Sequence, residues 1–128
     1  MKTRLAGDPQ APGAARSYVA RHLATESVPE GVPVDDVVLI ASELVTNAVR
    51  AGARWVDVTL RVSGRRLDLL IADDAEGLPY HAKVDDDAVN GRGLDIVDRL
   101  TDAWAVTPRA GGKTVTATWH DRGPGSRR

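Results

Sequence analysis

Apolar residues in the first half of the chain recur with the period of an amphipathic helix that follows Pro33 and ends near Gly52. At about 100° per residue they fall on one arc, which predicts a face buried in the core: Val37, Ala41, Leu44, Val45 and Ala48. Glu43 and Asn47, one helical turn apart, project to one side of this arc, with Arg50 beside them. The helix therefore presents a carboxylate and an amide together, next to a buried face.

Strict alternation of apolar and polar residues over residues 55–62 predicts a strand with one face in the core and the other in water. A Ser-Gly turn leads into a second strand over residues 66–72, which is richer in apolar residues and so more central. Because the connection is short, the two strands are predicted to be antiparallel neighbours. Residues 103–107 and 114–119 predict two further strands, joined by a glycine-rich hairpin turn at residues 109–113.

Two further helices and a short edge strand complete the predicted elements. Residues 14–25 have helical spacing, with apolar residues on one side and arginines outside. A second helix follows a glycine-containing turn at residues 91–93 and ends near Leu100. The edge strand is expected over residues 3–5.

The length of 128 residues fits one domain that can bury a sizeable core. Hydrophobic residues make up 42% of the chain and charged residues 27%, which is typical of a soluble globular protein. We expect an N-terminal segment at residues 1–13, a globular domain at residues 14–120 and a disordered tail at residues 121–128.

Charge and rare residue types exclude several classes of partner and site. A net charge of −1 gives no electrostatic reason to expect nucleic acid or an acidic membrane as partner. The absence of cysteine excludes disulfides and thiol nucleophiles, and three scattered histidines do not favour a metal site built on imidazole. No apolar run is long enough to span a membrane, and the start of the chain lacks the apolar core of a signal peptide. We therefore expect a cytoplasmic protein.

Three short motifs carry candidate chemistry. Glu43 could take a proton from an attacking hydroxyl or water, and Asn47 could bind Mg²⁺ through its amide oxygen; a solvated polar face is the alternative. Asp73 ends the second strand before a glycine-containing turn, which either presents a carboxylate to a pocket or is an ordinary acidic turn. The Gly-Arg-Gly run at residues 91–93 precedes a helix, where backbone N–H groups and an arginine can approach phosphate. The acidic run at residues 85–87 is expected to be a solvated loop, because three consecutive residues do not easily converge on one ion.

The order and spacing of these motifs resemble the GHKL nucleotide-binding superfamily, and most closely the short anti-sigma-factor serine kinases of actinobacteria. Residues 42–50, Ser-Glu-Leu-Val-Thr-Asn-Ala-Val-Arg, resemble the N box of that group. Gly-Arg-Gly-Leu at residues 91–94 resembles its glycine box, and Gly-Lys-Thr-Val at residues 112–115 resembles its closing strand. The resemblance extends over residues 14–119, nearly the whole chain.

The resemblance implies a role for each of these residues. Glu43 would be the general base, and Asn47 would hold the Mg²⁺ that bridges the triphosphate. Asp73 would accept a hydrogen bond from the adenine amino group, and Thr114 would reach the adenine directly or through water. The other residues implied to bind the nucleotide are Arg50, Gly77, Gly91, Arg92, Gly93 and Leu94.

The resemblance also implies an architecture and an activity. The fold would be a two-layer α/β sandwich of the Bergerat type, with a mixed, mostly antiparallel sheet, helices on one face and ATP between helix and sheet. The activity would be that of an ATP- and Mg²⁺-dependent protein serine/threonine kinase that sequesters a sigma factor, phosphorylates an antagonist of the anti-sigma factor and forms a homodimer. Two alternatives stay open: a non-catalytic ATP-sensing module that acts through partner proteins, and a degenerate domain that binds partners without nucleotide.

Two residues depart from the pattern of the family. Ala75 stands where the adenine-side box usually has its first glycine, and its Cβ would crowd a turn that needs a positive φ. Ala51 stands where a histidine commonly follows the arginine of the N box, which removes a side chain near the phosphates.

Overall fold

The computed structural model describes residues 1–75 and 92–121. Its strands are β1 (Lys2–Ala6), β2 (Trp55–Ser63), β3 (Arg66–Asp73), β4 (Ala103–Arg109) and β5 (Gly112–His120). They form one sheet in the spatial order β1-β2-β3-β5-β4, so that β3 is central, as the apolar content of residues 66–72 predicts. All pairings between these five strands are antiparallel, where the resemblance implied a mixed sheet.

Three helices lie in the described part of the chain: α1 (Ala11–Thr25), α2 (Val34–Arg50) and α3 (Arg92–Leu100). α1 packs against α2, and α2 in turn contacts β2, β3 and α3. This arrangement confirms the two-layer α/β sandwich implied by the motifs. A search of the described residues finds no helix that is both long and apolar enough to cross a membrane.

The core lies between the helix layer and one face of the sheet. The apolar arc predicted for α2 is buried along its whole length, and the alternate residues Val56, Val58 and Leu60 of β2 are at most 2% exposed. Trp119 of β5 is fully buried, and its Nε1 donates to the carbonyl oxygen of Leu100 at 2.8 Å, which ties the end of α3 to the sheet. The described helices and strands therefore share one continuous hydrophobic core.

Three boundaries show where the structure departs from the sequence-based prediction and where it agrees with it. α1 begins at Ala11, because Pro12 is tolerated in the first turn of a helix, where its missing N–H has no partner to lose. Gly52, with φ of +93°, follows the end of α2 as predicted. The hairpin between β4 and β5 is shorter than predicted, since β4 ends at Arg109 and β5 begins at Gly112. Lys113, which the residue pattern placed in the turn and the resemblance placed in the closing strand, therefore lies in the sheet.

Candidate functional site

Glu43 and Asn47 lie one turn apart on α2, and both are partly buried. Within the described residues, neither side chain makes a hydrogen bond or an ion pair, so both are available to a ligand or to water. Arg50, at the last turn of the helix, is exposed. The neighbouring Ser42 has a structural role, because its Oγ accepts a hydrogen bond from Arg16 of α1 at 2.9 Å.

Asp73 ends β3 and is 4% exposed. Its carboxylate is held by two residues: Oδ1 accepts from the backbone N–H of Ala75 at 2.8 Å, and Lys113 Nζ donates to Oδ1 and Oδ2 at 3.1 and 2.9 Å. The side chains of Asp73 and Lys113 are 2% and 3% exposed, so both charges are buried. Since Asp73 and Lys113 are register partners across β3 and β5, they extend from the same face of the sheet.

Lys113 was not among the residues that the sequence assigned to the site. The signal that could have found it is the alternation along β5, in which the buried Val115, Ala117 and Trp119 share the parity of position 113. These residues lie opposite the buried Leu67, Leu69 and Ile71 of β3, and therefore on the helix side of the sheet.

Thr114, the predicted adenine contact, lies on the other face of the sheet. It pairs with Ala72 of β3 and with Thr107 of β4, and its Oγ1 accepts a hydrogen bond from Arg109 at 3.0 Å. Because successive residues of a strand point to opposite faces, the structure does not bring Thr114 together with Asp73.

Ala75 is accommodated without backbone strain. Among the described residues, only glycines have a positive φ, so Ala75 does not adopt the conformation in which a Cβ is unfavourable. Its side chain is 4% exposed and belongs to the hydrophobic core. The alanine therefore supports Asp73 through its N–H, and the conformation expected to conflict with its Cβ does not occur.

The adjacent acid, Asp74, makes its hydrogen bonds at the start of β2. It accepts hydrogen bonds from the backbone N–H groups of Arg54 and Trp55 and from Arg54 Nε, at 2.8, 3.3 and 3.1 Å. Burial would raise the pKa of the Asp74 carboxyl, but these hydrogen bonds together bring its pKa below the ordinary value. Asp74 thus joins the end of β3 to the start of β2, which leaves Asp73 as the acid on the helix side.

Gly112 places the start of β5 directly against the end of β3. A Cβ at this position would overlap the carbonyl oxygen of Asp73, so only glycine allows this approach of the two backbones. The next residue on β5 is Lys113, whose ammonium can therefore reach the carboxylate of Asp73. The glycine of the Gly-Lys-Thr motif is a packing requirement in this structure.

The phosphate-side residues are described only in part. Arg92, Gly93 and Leu94 form the first turn of α3, where the backbone N–H groups have no acceptor within the helix and an anion is a suitable partner. Gly77, Gly91, the acidic run at residues 85–87 and the tail beyond Asp121 lie outside the described residues.

A metal would find few protein ligands in the described part of the chain. It contains no group of three or more His, Cys, Asp or Glu side chains that could hold an ion. Mg²⁺ commonly takes only one or two protein oxygens and completes its shell with phosphate and water, so a single amide oxygen such as that of Asn47 fits this mode of binding.

Comparison with known proteins gives a matching family and solved structures with a similar fold. The histidine kinase-like ATPase domain family matches residues 5–119. The crystal structure of the RsbU and RsbW domains of Rv1364c from Mycobacterium tuberculosis is 20% identical with a TM-score of 0.71, over 94% of this chain and 31% of that one. The histidine kinase domain of the Erythrobacter litoralis EL346 blue-light activated histidine kinase is 20% identical with a TM-score of 0.55, over 86% of this chain and 59% of that one. No curated protein matches the chain.

The chain thus spans less than two thirds of either related structure. At 20% identity, these similarities show the shared fold. In this chain, Glu43 and Asn47 lie on α2, and Asp73 lies at the end of β3. Because α2 contacts β3, the elements that carry the candidate site are neighbours in the fold.

Proposed function

The chain belongs to the histidine kinase-like ATPase domain family, and from this membership we propose that it is an ATP-dependent protein serine/threonine kinase of the anti-sigma type. It would hold a sigma factor inactive and phosphorylate the antagonist protein that otherwise releases that factor. The N-box resemblance at residues 42–50 and a fold shared with a structure that contains an RsbW domain support this proposal.

The observation that carries the proposal is the state of Glu43 and Asn47. Both are partly buried on α2, one turn apart, and neither has a side-chain partner within the described residues. A purely structural polar pair beside a core is normally hydrogen-bonded within the protein. Glu43 and Asn47 are both available on α2, the helix that contacts β3. This arrangement is suited to a ligand that binds between the helix layer and the end of β3.

Each residue of the site has a distinct task in phosphoryl transfer. Mg²⁺, when bound, neutralises charge on the triphosphate, and the amide oxygen of Asn47 is the protein ligand that would hold it. The carboxylate of Glu43 accepts the proton of the serine hydroxyl, and Arg50 adds positive charge near the phosphates. Asp73 selects the base by accepting a hydrogen bond. Because phosphoryl transfer needs positioning and charge neutralisation more than covalent catalysis, these few groups suffice.

The deciding experiment separates binding from chemistry with the variant Glu43→Gln. Its affinity for a non-hydrolysable ATP analogue should match that of the wild type in isothermal titration, because the contacts with the adenine ring are intact. Formation of phosphoserine on the antagonist should slow by about a hundredfold, because the proton acceptor is lost. Glu26→Gln, at the exposed end of α1, is the matched control and should behave as wild type in both assays.

Two results would contradict the proposal, the first at the role of Glu43 and the second at the kinase activity. Transfer at the wild-type rate by Glu43→Gln would show that Glu43 is not the base. ATP-dependent partner binding by a wild type that never forms phosphoserine would establish the non-catalytic sensor instead. A homodimer is part of the proposal, and light scattering on the purified protein at several concentrations tests it independently.

A further inference from the structure

The buried pair of Lys113 and Asp73 has no sufficient explanation in folding alone. Each side chain is at most 3% exposed, so both charges have been removed from water. The desolvation of two ions offsets much of their mutual attraction, and apolar residues of similar volume often stabilise a fold as well as a buried ion pair does. A buried ion pair at the end of β3, where the base is expected, therefore points to a role in recognition.

The hydrogen-bonding capacity of the pair is only partly used within the described residues. Oδ1 of Asp73 accepts from Ala75 N–H and from Lys113 Nζ, which fills its two lone pairs. Oδ2 accepts from Lys113 Nζ, and so keeps room for one more donor. The ammonium has three protons, of which these two bonds use two. The pair thus combines an acceptor and a donor side by side on the helix side of the sheet.

We propose that Lys113 is a specificity-determining residue that reads the base together with Asp73. Oδ2 of Asp73 accepts from the exocyclic amino group of adenine, and the ammonium of Lys113 donates to a ring nitrogen beside that amino group, N1 or N7. Adenine offers this combination of a donor next to an acceptor. The inference rests on the proposed function, because it requires an adenine nucleotide at this end of the site.

The geometry assigns this role to Lys113 and not to Thr114. Lys113 is the register partner of Asp73 on the same face of the sheet, whereas Thr114 lies on the opposite face with its hydroxyl bonded to Arg109. The contact expected from the resemblance is thus supplied by the preceding residue of β5, with an ammonium in place of a hydroxyl.

The experiment compares three nucleotides by isothermal titration: a non-hydrolysable ATP analogue and its 1-deaza and 7-deaza forms, each of which lacks one ring nitrogen. The wild type should prefer the parent nucleotide over one of the two deaza forms by about tenfold, the value of one good hydrogen bond. In Lys113→Met this preference should vanish, because the donor is gone and the amino group is unchanged. Lys2→Met removes an exposed lysine that lies 3.6 Å from Asp57, and it should keep the full preference.

Thermal unfolding without ligand shows whether Lys113→Met is folded. If it is not, a second variant keeps the test valid. Lys113→Gln retains a neutral donor and should keep a smaller preference of about threefold, since a charge-assisted hydrogen bond is roughly twice as strong. The comparison is made within each folded variant, so a loss of stability alone does not change the ratio.

Failures of the two proposals are distinguishable. A wild type that binds no adenine nucleotide would overturn the proposed function, and this inference with it. A wild type that binds the parent and both deaza forms equally would overturn this inference alone. This inference alone would also be overturned if Lys113→Met retained the tenfold preference. It would be overturned as well if Lys113→Met bound all three nucleotides more tightly than the wild type, because Lys113 would then compete with adenine for Asp73.

Discussion

Arg4 donates two hydrogen bonds to the carboxylate of Asp57, from Nε to Oδ1 at 2.8 Å and from Nη2 to Oδ2 at 3.0 Å. Its guanidinium also lies 4.0 Å from the centre of the Trp55 ring. This contact joins β1 to β2 across the face of the sheet opposite the core. The hydrogen bond from Arg4 is the main cause that lowers the pKa of Asp57 below 3.8, against the effect of burial.

A pH dependence of stability follows from this contact. Because the folded-state pKa of Asp57 is depressed, the stabilisation is present above about pH 3.8 and is lost as the pH falls through the lower, folded-state pKa. Urea unfolding of wild type and Arg4→Gln from pH 7 to pH 2.5 should therefore show a difference at neutral pH that shrinks in the acid range. A difference that persists unchanged at the lowest pH would assign the effect to packing on Trp55.

The pair of Asp73 and Lys113 should be strongly coupled. Asp73→Leu leaves a buried ammonium without its counter-charge and should cost about 3–5 kcal/mol of unfolding free energy. The double variant Asp73→Leu/Lys113→Met should recover most of that loss, because no buried charge remains. Denaturant unfolding of the wild type, both single variants and the double variant gives the coupling energy; additive effects would contradict the contact.

Gly112 and Gly111 offer a matched pair of substitutions. Gly112→Ala places a Cβ against the backbone of Asp73 and Asp74 and should destabilise the protein by about 2 kcal/mol or more. Gly111→Ala meets no atom within 4 Å but must adopt φ of +74°, which should cost about 1 kcal/mol. Thermal unfolding ranks the two, and the reverse order would mean that β5 does not approach β3 as closely as described.

Trp119 should contribute more to stability than Trp104, although both rings donate a hydrogen bond. Trp119→Phe leaves the carbonyl of Leu100 without its donor in the core and should cost about 2–3 kcal/mol. Trp104→Phe removes a hydrogen bond to Asp98 at a partly exposed position and should cost about 1 kcal/mol or less. Hydrogen exchange in α3 should accelerate more in the first variant, because Trp119 bonds to the last residue of the helix from within the core, whereas Trp104 bonds to Asp98 of the same helix at a partly exposed position.

Asn47→Ala tests the assignment of the metal ligand. Affinity for Mg-ATP should fall by about tenfold, the value of one lost oxygen ligand, whereas affinity for ATP in excess EDTA should be unchanged. Thr46→Ala, at the neighbouring position of α2, is the control. An equal loss with and without Mg²⁺ would show that Asn47 contacts the nucleotide and not the metal.

The helices and strands that could be predicted from the sequence are those marked by a regular pattern of apolar residues within the element itself. The arc of α2 and the alternation of β2 each repeat over many residues, so the burial of Val45 and Val58 could be read from the pattern. The central place of β3 followed from its apolar content for the same reason.

The part that could not be predicted depends on contacts distant in sequence. The residue pattern assigned Gly112 to a turn, although the resemblance placed it in the closing strand. A glycine that lets one strand approach another cannot be told from a turn glycine by its residue type alone. The partner of Asp73 lies 40 residues further along the chain, and only the register of β3 and β5 brings it there. Thr114 was assigned by resemblance, and the parity of the strand places it on the far side of the sheet.

The two faces of β5 give the strand two separate surfaces on which selection can act. Lys113 and the apolar residues of its parity face the core, whereas Thr114 and Thr116 belong to the face turned away from the helices. Substitutions in the outer row, Thr114 and Thr116, can change that surface of the domain without altering the inner row. The residues of β5 that pack on the core and those that form the outer surface can therefore change independently of one another, within a single strand.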